Sequence, residues 1–142
     1  MVLRKRFSII ISIFLCLFAV LGLSSCGGGG SKSRTFYDMY GEYQEWLTLK
    51  DDGSYLGYPD SNSVIKIAAD DSHTFLNVGY TNCKSAIALR HINAECGFGE
   101  DVITAMFQTS AIQGNQQREN ENFRISWNKI SGGGLYVYYY RK

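Results

Sequence analysis

Two cysteines and one histidine that lie close together in the sequence have side chains of the types best suited to binding a metal ion. Cys83, His91 and Cys96 follow one another within a short stretch, but the C-x₂-C and H-x₃-H spacings of structural zinc sites are absent. We therefore expect neither a metal ion nor another cofactor at these residues. Two cysteines can also form a disulfide, which depends on the compartment in which the protein resides.

Acidic residues are the next group that could carry chemistry. The sequence Asp51-Asp52-Gly53 lacks the spaced acidic positions and closing glutamate of an EF-hand calcium loop, and it is typical of a hairpin turn. Glu95, Glu100 and Asp101 could supply the two carboxylates that glycoside hydrolysis requires, but carboxylates on surface loops are common. No G-x-S-x-G motif marks a nucleophilic serine. We expect no catalytic residue and no enzymatic activity.

Tyrosine is the residue type that stands out in the composition, with ten in the chain. Near the C-terminus, Tyr136, Tyr138 and Tyr140 would share one face of a strand, with Val137 and Tyr139 on the other. Such rings can pack a core, line a cavity for an apolar or sugar ligand, or form a patch that binds another protein. For the ligand hypothesis, the candidate residues are Tyr136, Tyr138, Tyr140 and Trp127.

The N-terminus has the layout of a signal peptide. Arg4, Lys5 and Arg6 are basic, and residues 7–23 are almost entirely apolar. At about 17 residues the apolar run is at the lower limit for spanning a bilayer, so a retained membrane helix is the alternative. The sequence Leu23-Ser24-Ser25-Cys26 resembles the lipobox of bacterial lipoproteins, in which the cysteine sulfur receives a diacylglycerol before a peptidase cleaves in front of it.

This resemblance implies a processed and anchored protein. Residues 1–25 would be removed as the signal peptide, and Cys26 would carry the lipid, including palmitate, that holds the chain on a membrane. Residues 26–34, which include four consecutive glycines, would form a flexible tether. Gly27 stands where the inner-membrane retention signal of enteric lipoproteins has aspartate, so the resemblance implies the periplasmic face of the outer membrane.

The charge of the processed chain argues against nucleic-acid binding. Three of the 14 basic residues lie in the signal peptide, which leaves 11 basic against 13 acidic residues and a net charge of −2 in the remaining 117 residues. No basic stripe is present that could follow a phosphate backbone. A chain of this length is typical of one domain, which we place at residues 35–142.

Export to an oxidising compartment makes a disulfide the expected use of Cys83 and Cys96. The Cα atoms of a disulfide lie within about 7 Å of each other, whereas a continuous helix between these positions would separate its ends by roughly 20 Å. Residues 84–95 can be read as helix or strand, and if the disulfide forms, two short strands with a turn near His91-Ile92-Asn93 are favoured.

Much of the remaining sequence alternates between apolar and polar residues, with turn residues at intervals of about ten, and this pattern predicts antiparallel hairpins. Residues 101–111 can be read as helix or strand but favour a strand, and residues 113–122 are a polar loop or crossover. One helical turn is expected near Phe36 to Met39. The predicted hairpins pair residues 46–50 with 55–58, 64–69 with 74–80, and 123–128 with 135–140.

About seven to nine strands without a long helix predict a mostly β fold. Because such a sheet must protect its edges, we expect a small antiparallel barrel of the lipocalin-like type, with a sandwich as the alternative.

The expected function is that of a lipid-anchored cell-envelope binding protein for a small apolar or sugar ligand. The alternative is a periplasmic interaction or inhibitor protein that acts on another protein. Small lysozyme-inhibitor lipoproteins are similar in size and anchor, and Ser131-Gly132-Gly133 is the stretch that resembles part of their binding motif.

Overall fold

The computed structural model describes residues 33–57 and 63–142. The predicted signal peptide, the predicted lipidation site Cys26 and the tether up to residue 32 lie outside the described residues. Residues Ser33–Lys142 form one compact unit. Within the described ranges, no helix is both long enough and apolar enough to cross a bilayer.

The described chain begins with two short helical segments. Helix α1, Phe36–Met39, confirms the expected helical turn, and a 3₁₀ helix follows at Gly41–Trp46. The Thr35 hydroxyl accepts a hydrogen bond from the backbone N–H of Asp38, whose carboxylate accepts one from the backbone N–H of Thr35. This capping box satisfies N–H groups that the first turn of a helix leaves unpaired.

Seven strands in the described residues form one sheet, in the order β1-β2-β3-β4-β7-β6-β5. Every neighbouring pair is antiparallel, and the three predicted hairpins correspond to β1–β2, β3–β4 and β6–β7. The strands are β1 Leu47–Leu49, β2 Tyr55–Gly57, β3 Ser63–Ile67, β4 His73–Val78, β5 Gln116–Glu119, β6 Phe123–Lys129 and β7 Leu135–Arg141.

The sheet is open, with β1 and β5 at its two edges. The prediction of an antiparallel β fold with seven to nine strands is confirmed in this coarse form, but the closed lipocalin-like barrel is wrong. Closure is not needed to bury the apolar face, because helices inserted between β4 and β5 cover it. The open sheet is compatible with the sandwich alternative, and in the described residues the layer packed on its apolar face is helical.

Two helices occupy the middle of the chain, where strands were expected. Helix α2 spans Lys84–Glu95 and helix α3 spans Glu100–Gln108. The predictions of two short strands at residues 84–95, of a strand at residues 101–111 and of a fold without a long helix are therefore wrong. The buried apolar residues recur with the three- to four-residue spacing of a helix face, at Ala86, Leu89 and Ile92 in α2 and at Val102, Ile103 and Met106 in α3.

The predicted disulfide is corrected by the same helices. Cys83 immediately precedes α2 and Cys96 immediately follows it, and both are free and buried. A helix of 12 residues rises about 18 Å, far beyond the reach of a disulfide. The even number of cysteines suggested a bond, but the helix between them holds the two thiols apart.

The core lies between the helices and one face of the sheet. Hydrogen bonds join the two layers: the Tyr139 hydroxyl donates to Asn93 Oδ1 on α2 at 3.0 Å, and Trp127 Nε1 donates to the Thr109 hydroxyl at 2.8 Å. Because these polar atoms are buried, the bonds fix how the helices sit on the sheet. The apolar sheet residues of this face are Ile65, Ile67, Leu76, Val78, Phe123, Ile125, Trp127, Leu135, Val137 and Tyr139.

The polar stretch at residues 113–122, expected as a loop or crossover, contains edge strand β5. A 3₁₀ helix at Ala111–Gln113 precedes this strand. After it, Asn120 Oδ1 accepts hydrogen bonds from the backbone N–H groups of Asn122 and Phe123 at 3.1 and 2.9 Å. This turn returns the chain into β6, so the polar residues form a short hairpin rather than a long crossover.

Candidate functional site

The face of the sheet opposite the helices, called the open face from here on, carries the C-terminal tyrosines. Along β7, Tyr136, Tyr138 and Tyr140 are partly exposed, whereas Leu135, Val137 and Tyr139 are buried against the helices. This alternation confirms the prediction that the three tyrosines share one face. Their environment is that of a surface and not of a core.

Strand β4 extends the aromatic surface beyond β7. His73 lies beside Tyr140, and Phe75 lies beside Tyr138. Phe75 contacts Tyr138 with 4.7 Å between ring centroids and meets Tyr136 edge-on at 5.4 Å, and Tyr138 stacks on Tyr140 at 5.9 Å. The His73 ring lies 5.7 Å from Tyr140. These five rings form a continuous surface, which we call the aromatic ladder.

Polar side chains flank the aromatic ladder on both sides. On β6, Arg124, Ser126 and Asn128 pair across the strands with Tyr140, Tyr138 and Tyr136 respectively. The guanidinium group of Arg124 lies over the Tyr140 ring at 4.7 Å, a cation–π contact. On the other side, Lys66 of β3 pairs with Phe75 and is exposed. A ligand on the ladder would therefore meet hydrogen-bonding groups at both of its edges.

A groove of about 780 Å³ lies over Phe75, Tyr136 and Tyr138. Its wall includes residues from the β1–β2 turn, among them Lys50 and Asp52. Hydrogen bonds to the Asp52 carboxylate from the hydroxyl and backbone N–H of Ser54, together with nearby Lys50, hold the pKa of Asp52 below its ordinary value. The volume is within the range of small-ligand sites, and the groove is open to solvent along its length.

Trp127 does not belong to this site, although the sequence grouped it with the tyrosines. It pairs across the strands with Val137, and cross-strand neighbours share a face of the sheet. Its side chain is only 2% exposed and donates to Thr109 on the helix-covered side. Trp127 was wrongly assigned to the tyrosine face, because a period-two pattern on one strand does not reveal which face of the next strand is buried.

Sequence reasoning missed the contributions of β3 and β4. The signal was present, because His73, Phe75 and Asn77 alternate with the buried Thr74, Leu76 and Val78. The adjacency of β4 and β7 could not be read, since the two strands are far apart in sequence. Asn77 pairs across the strands with Tyr136, just as Phe75 pairs with Tyr138. Its Oδ1 is buried without a hydrogen-bond partner among the described residues.

The two cysteines have different surroundings, on the other side of the sheet. Burial disfavours the thiolate of Cys83, but hydrogen bonds with the side chains of Ser63 and Ser85 and with the backbone of Tyr80 and Ala86 outweigh it and hold its pKa below the ordinary value. Burial raises the pKa of Cys96 to about 12. Neither thiol faces the groove.

Two of the carboxylates considered for catalysis are occupied by ion pairs. Glu95 pairs with Arg34, and Glu100 pairs with Arg90 at 3.5 Å. In the described part of the chain, no cluster of three or more histidine, cysteine, aspartate or glutamate residues could hold a metal ion. The chemistry that the open face offers is noncovalent binding by rings, amides and cations.

No family model, no curated protein and no solved structure matches the chain.

Proposed function

We propose that the mature protein is a lipid-anchored binding module of the cell envelope, without catalytic activity, which holds its ligand on the open face. The aromatic ladder is the observation that carries this proposal. Tyr136, Tyr138 and Tyr140 are partly exposed on a face opposite the helices, so core packing does not account for their size. Rigid aromatic rings provide a large contact area at a small cost in side-chain entropy.

A sugar fits the open face better than an apolar molecule. An apolar ligand is best stabilised in a pocket that encloses most of its surface, whereas this groove is open along its length. A sugar ring has an apolar C–H face that can stack on Tyr138 or Phe75, and hydroxyl groups at its edge. Those hydroxyls would meet Ser126 and Asn128 on β6. A cell-wall glycan is the ligand of this kind in the envelope.

The proposed anchor would keep this site close to a membrane. Cys26 would carry the lipid, and the glycine-rich residues between Cys26 and Ser33 would average roughly 13–16 Å end to end. The module would therefore act within a short distance of the outer membrane, on its periplasmic face.

A second candidate function, that of an interaction or inhibitor protein, is favoured by the sheet edge formed by β5. Strand β5 is an exposed edge whose outer backbone groups can accept another strand. Ile112, directly before this edge, is 96% exposed. A protein partner would bind there by strand addition, away from the aromatic ladder.

Titration of the full chain, purified in detergent, with N-acetylglucosamine tetramer tests the proposal by calorimetry. We expect Tyr138→Ala to weaken binding at least about fivefold, because stacking on an aromatic ring contributes on the order of 1–3 kcal/mol. Loss of its cross-strand contact with Phe75 should cost about 1 kcal/mol of stability. Tyr138→Leu retains an apolar side chain and should also bind weakly.

Tyr43→Ala is the matched control, since Tyr43 is a partly exposed tyrosine that packs on Trp46 and His91 on the helical side. It should leave the affinity unchanged. Equal affinity in the wild-type protein and the Tyr138 variants would contradict the proposal. A protein partner whose binding is lost in Ile112→Asp, with no saccharide bound, would favour the interaction protein.

A further inference from the structure

We infer that the ligand of the open face is an acidic oligosaccharide, whose carboxylate groups bind Lys66 and Arg124. This inference rests on the proposed function and specifies its ligand class. It follows from the positive charges beside the aromatic ladder. The processed chain as a whole carries a net negative charge.

Lys66 is the cation at the groove floor. It lies beside Phe75 on the neighbouring strand, is exposed, and has no ion pair with any described residue. Asp52, an acid in the groove wall, already accepts hydrogen bonds from Ser54 at 2.6 and 2.9 Å and interacts with Lys50. Among the described residues, no acid therefore occupies the ammonium group of Lys66, which can bind an anionic group of a ligand.

Arg124 is the second cation of the open face. Its guanidinium group lies over the Tyr140 ring at 4.7 Å, which leaves N–H groups at its edge as donors for a carboxylate. The acid beside it on β5, Glu119, forms an ion pair with Lys142 at 3.7 Å. Both cations thus remain available, on a face of a chain that carries more acidic than basic residues after processing.

The spacing of the two cations indicates a chain of sugars and not a single sugar. Lys66 on β3 and Arg124 on β6 are separated by three strand spacings, across β4 and β7. The two residues are also offset by two residues along the strand direction. Together these displacements place their Cα atoms roughly 16 Å apart. The rings of Phe75, Tyr138 and Tyr140 lie between them. A uronic acid oligomer matches this layout, because its carboxylates project from the edges of rings whose faces can stack.

Calorimetry with trigalacturonate and with its methyl ester tests this inference on the full chain in detergent. The two probes have the same sugar backbone, and the charged carboxylates of one are neutral methyl esters in the other. We expect the acid to bind about fivefold more tightly than the ester at low ionic strength, and the difference to disappear in high salt. Lys66→Gln should remove most of the preference for the acid, because glutamine keeps a hydrogen-bonding side chain but carries no charge. Lys129→Gln, at the end of β6 on the other face, is the control and should keep the preference.

The outcomes separate the inference from the proposed function. If acid and ester bind equally, and both are weakened by Tyr138→Ala, the acidic ligand is wrong and the binding module stands. If N-acetylglucosamine tetramer and both galacturonate probes fail to bind, both proposals are overturned. Tighter binding of oligouridylate than of trigalacturonate would replace the acidic sugar with a nucleic acid.

Discussion

Tyr138 and Tyr139 are neighbours in sequence with opposite environments. Tyr138 lies on the open face among other rings, whereas Tyr139 is fully buried and donates from its hydroxyl to Asn93 Oδ1 at 3.0 Å. Asn93 in turn donates from its amide to the carbonyls of Phe98 and Gly99, which connect α2 to α3. One tyrosine therefore belongs to the binding surface, and the other supports the helical layer.

We predict that Tyr139→Phe lowers the free energy of unfolding by about 1–3 kcal/mol, because it leaves the buried Asn93 Oδ1 without a donor. Tyr138→Phe is the matched control. Its hydroxyl has no hydrogen bond to the described residues and its ring contacts are retained, so it should change stability by less than about 0.5 kcal/mol. Urea denaturation monitored by circular dichroism measures both. Equal effects of the two substitutions would show that the Tyr139–Asn93 bond does not stabilise the helical layer.

Helix α2 was predicted as two strands, although its apolar residues have the spacing of a helix. Ala86, Leu89 and Ile92 have helical spacing in the sequence, and that spacing alone predicts the helix. The prediction of two strands followed from the assumed disulfide, which required the chain to double back. In α3, the acidic residues Glu100 and Asp101 of the first turn were a further helix signal, since they interact favourably with the helix dipole.

The hairpins were predictable because their pairing is local and their turns have characteristic residues. Gly53 has a φ of 79° between β1 and β2, a conformation that side chains other than glycine rarely adopt. The pairing of β4 with β7 was not predictable, since two helices and two strands separate them along the chain. That pairing assembles half of the candidate site, so the tyrosines were identified and their partners His73 and Phe75 were not.

The two ends of α2 give a prediction about thiol reactivity. Cys83 and Cys96 are each 2% exposed, so their rates of alkylation should differ mainly through the fraction of thiolate. The pKa of Cys83 is lowered, and that of Cys96 is raised to about 12. We predict that iodoacetamide at pH 8 labels Cys83 before Cys96 in the folded protein, and that both are labelled in urea.

Peptide mapping by mass spectrometry locates the adducts. Ser85→Ala tests the cause of this difference. It removes a hydrogen bond to the Cys83 sulfur at 3.2 Å and should slow labelling of Cys83 alone. A linked Cys83–Cys96 peptide, or faster labelling of Cys96, would contradict the arrangement of free thiols at opposite ends of the helix.

At the scale of the whole molecule, the fold determines where the chain leaves the domain. Arg141, at the end of β7, forms an ion pair with Asp71 at 2.8 Å and donates to the Ser33 hydroxyl at 2.9 Å and to the carbonyl of Arg34. The first described residues are thereby held at the end of the sheet that carries Tyr140 and His73. With a lipid on Cys26, the aromatic ladder would extend from this anchored end toward Tyr136.

The anchor itself is the last prediction, and it concerns residues before the described domain. Because the lipid would be attached to the Cys26 sulfur, Cys26→Ala should abolish incorporation of labelled palmitate and leave an uncleaved precursor that runs at higher mass on a gel. Cys16→Ala is the matched control, since Cys16 lies within the apolar run and would depart with the signal peptide; labelling should be unchanged. Equal palmitate incorporation in the wild-type protein and Cys26→Ala would mean that the lipobox reading is wrong.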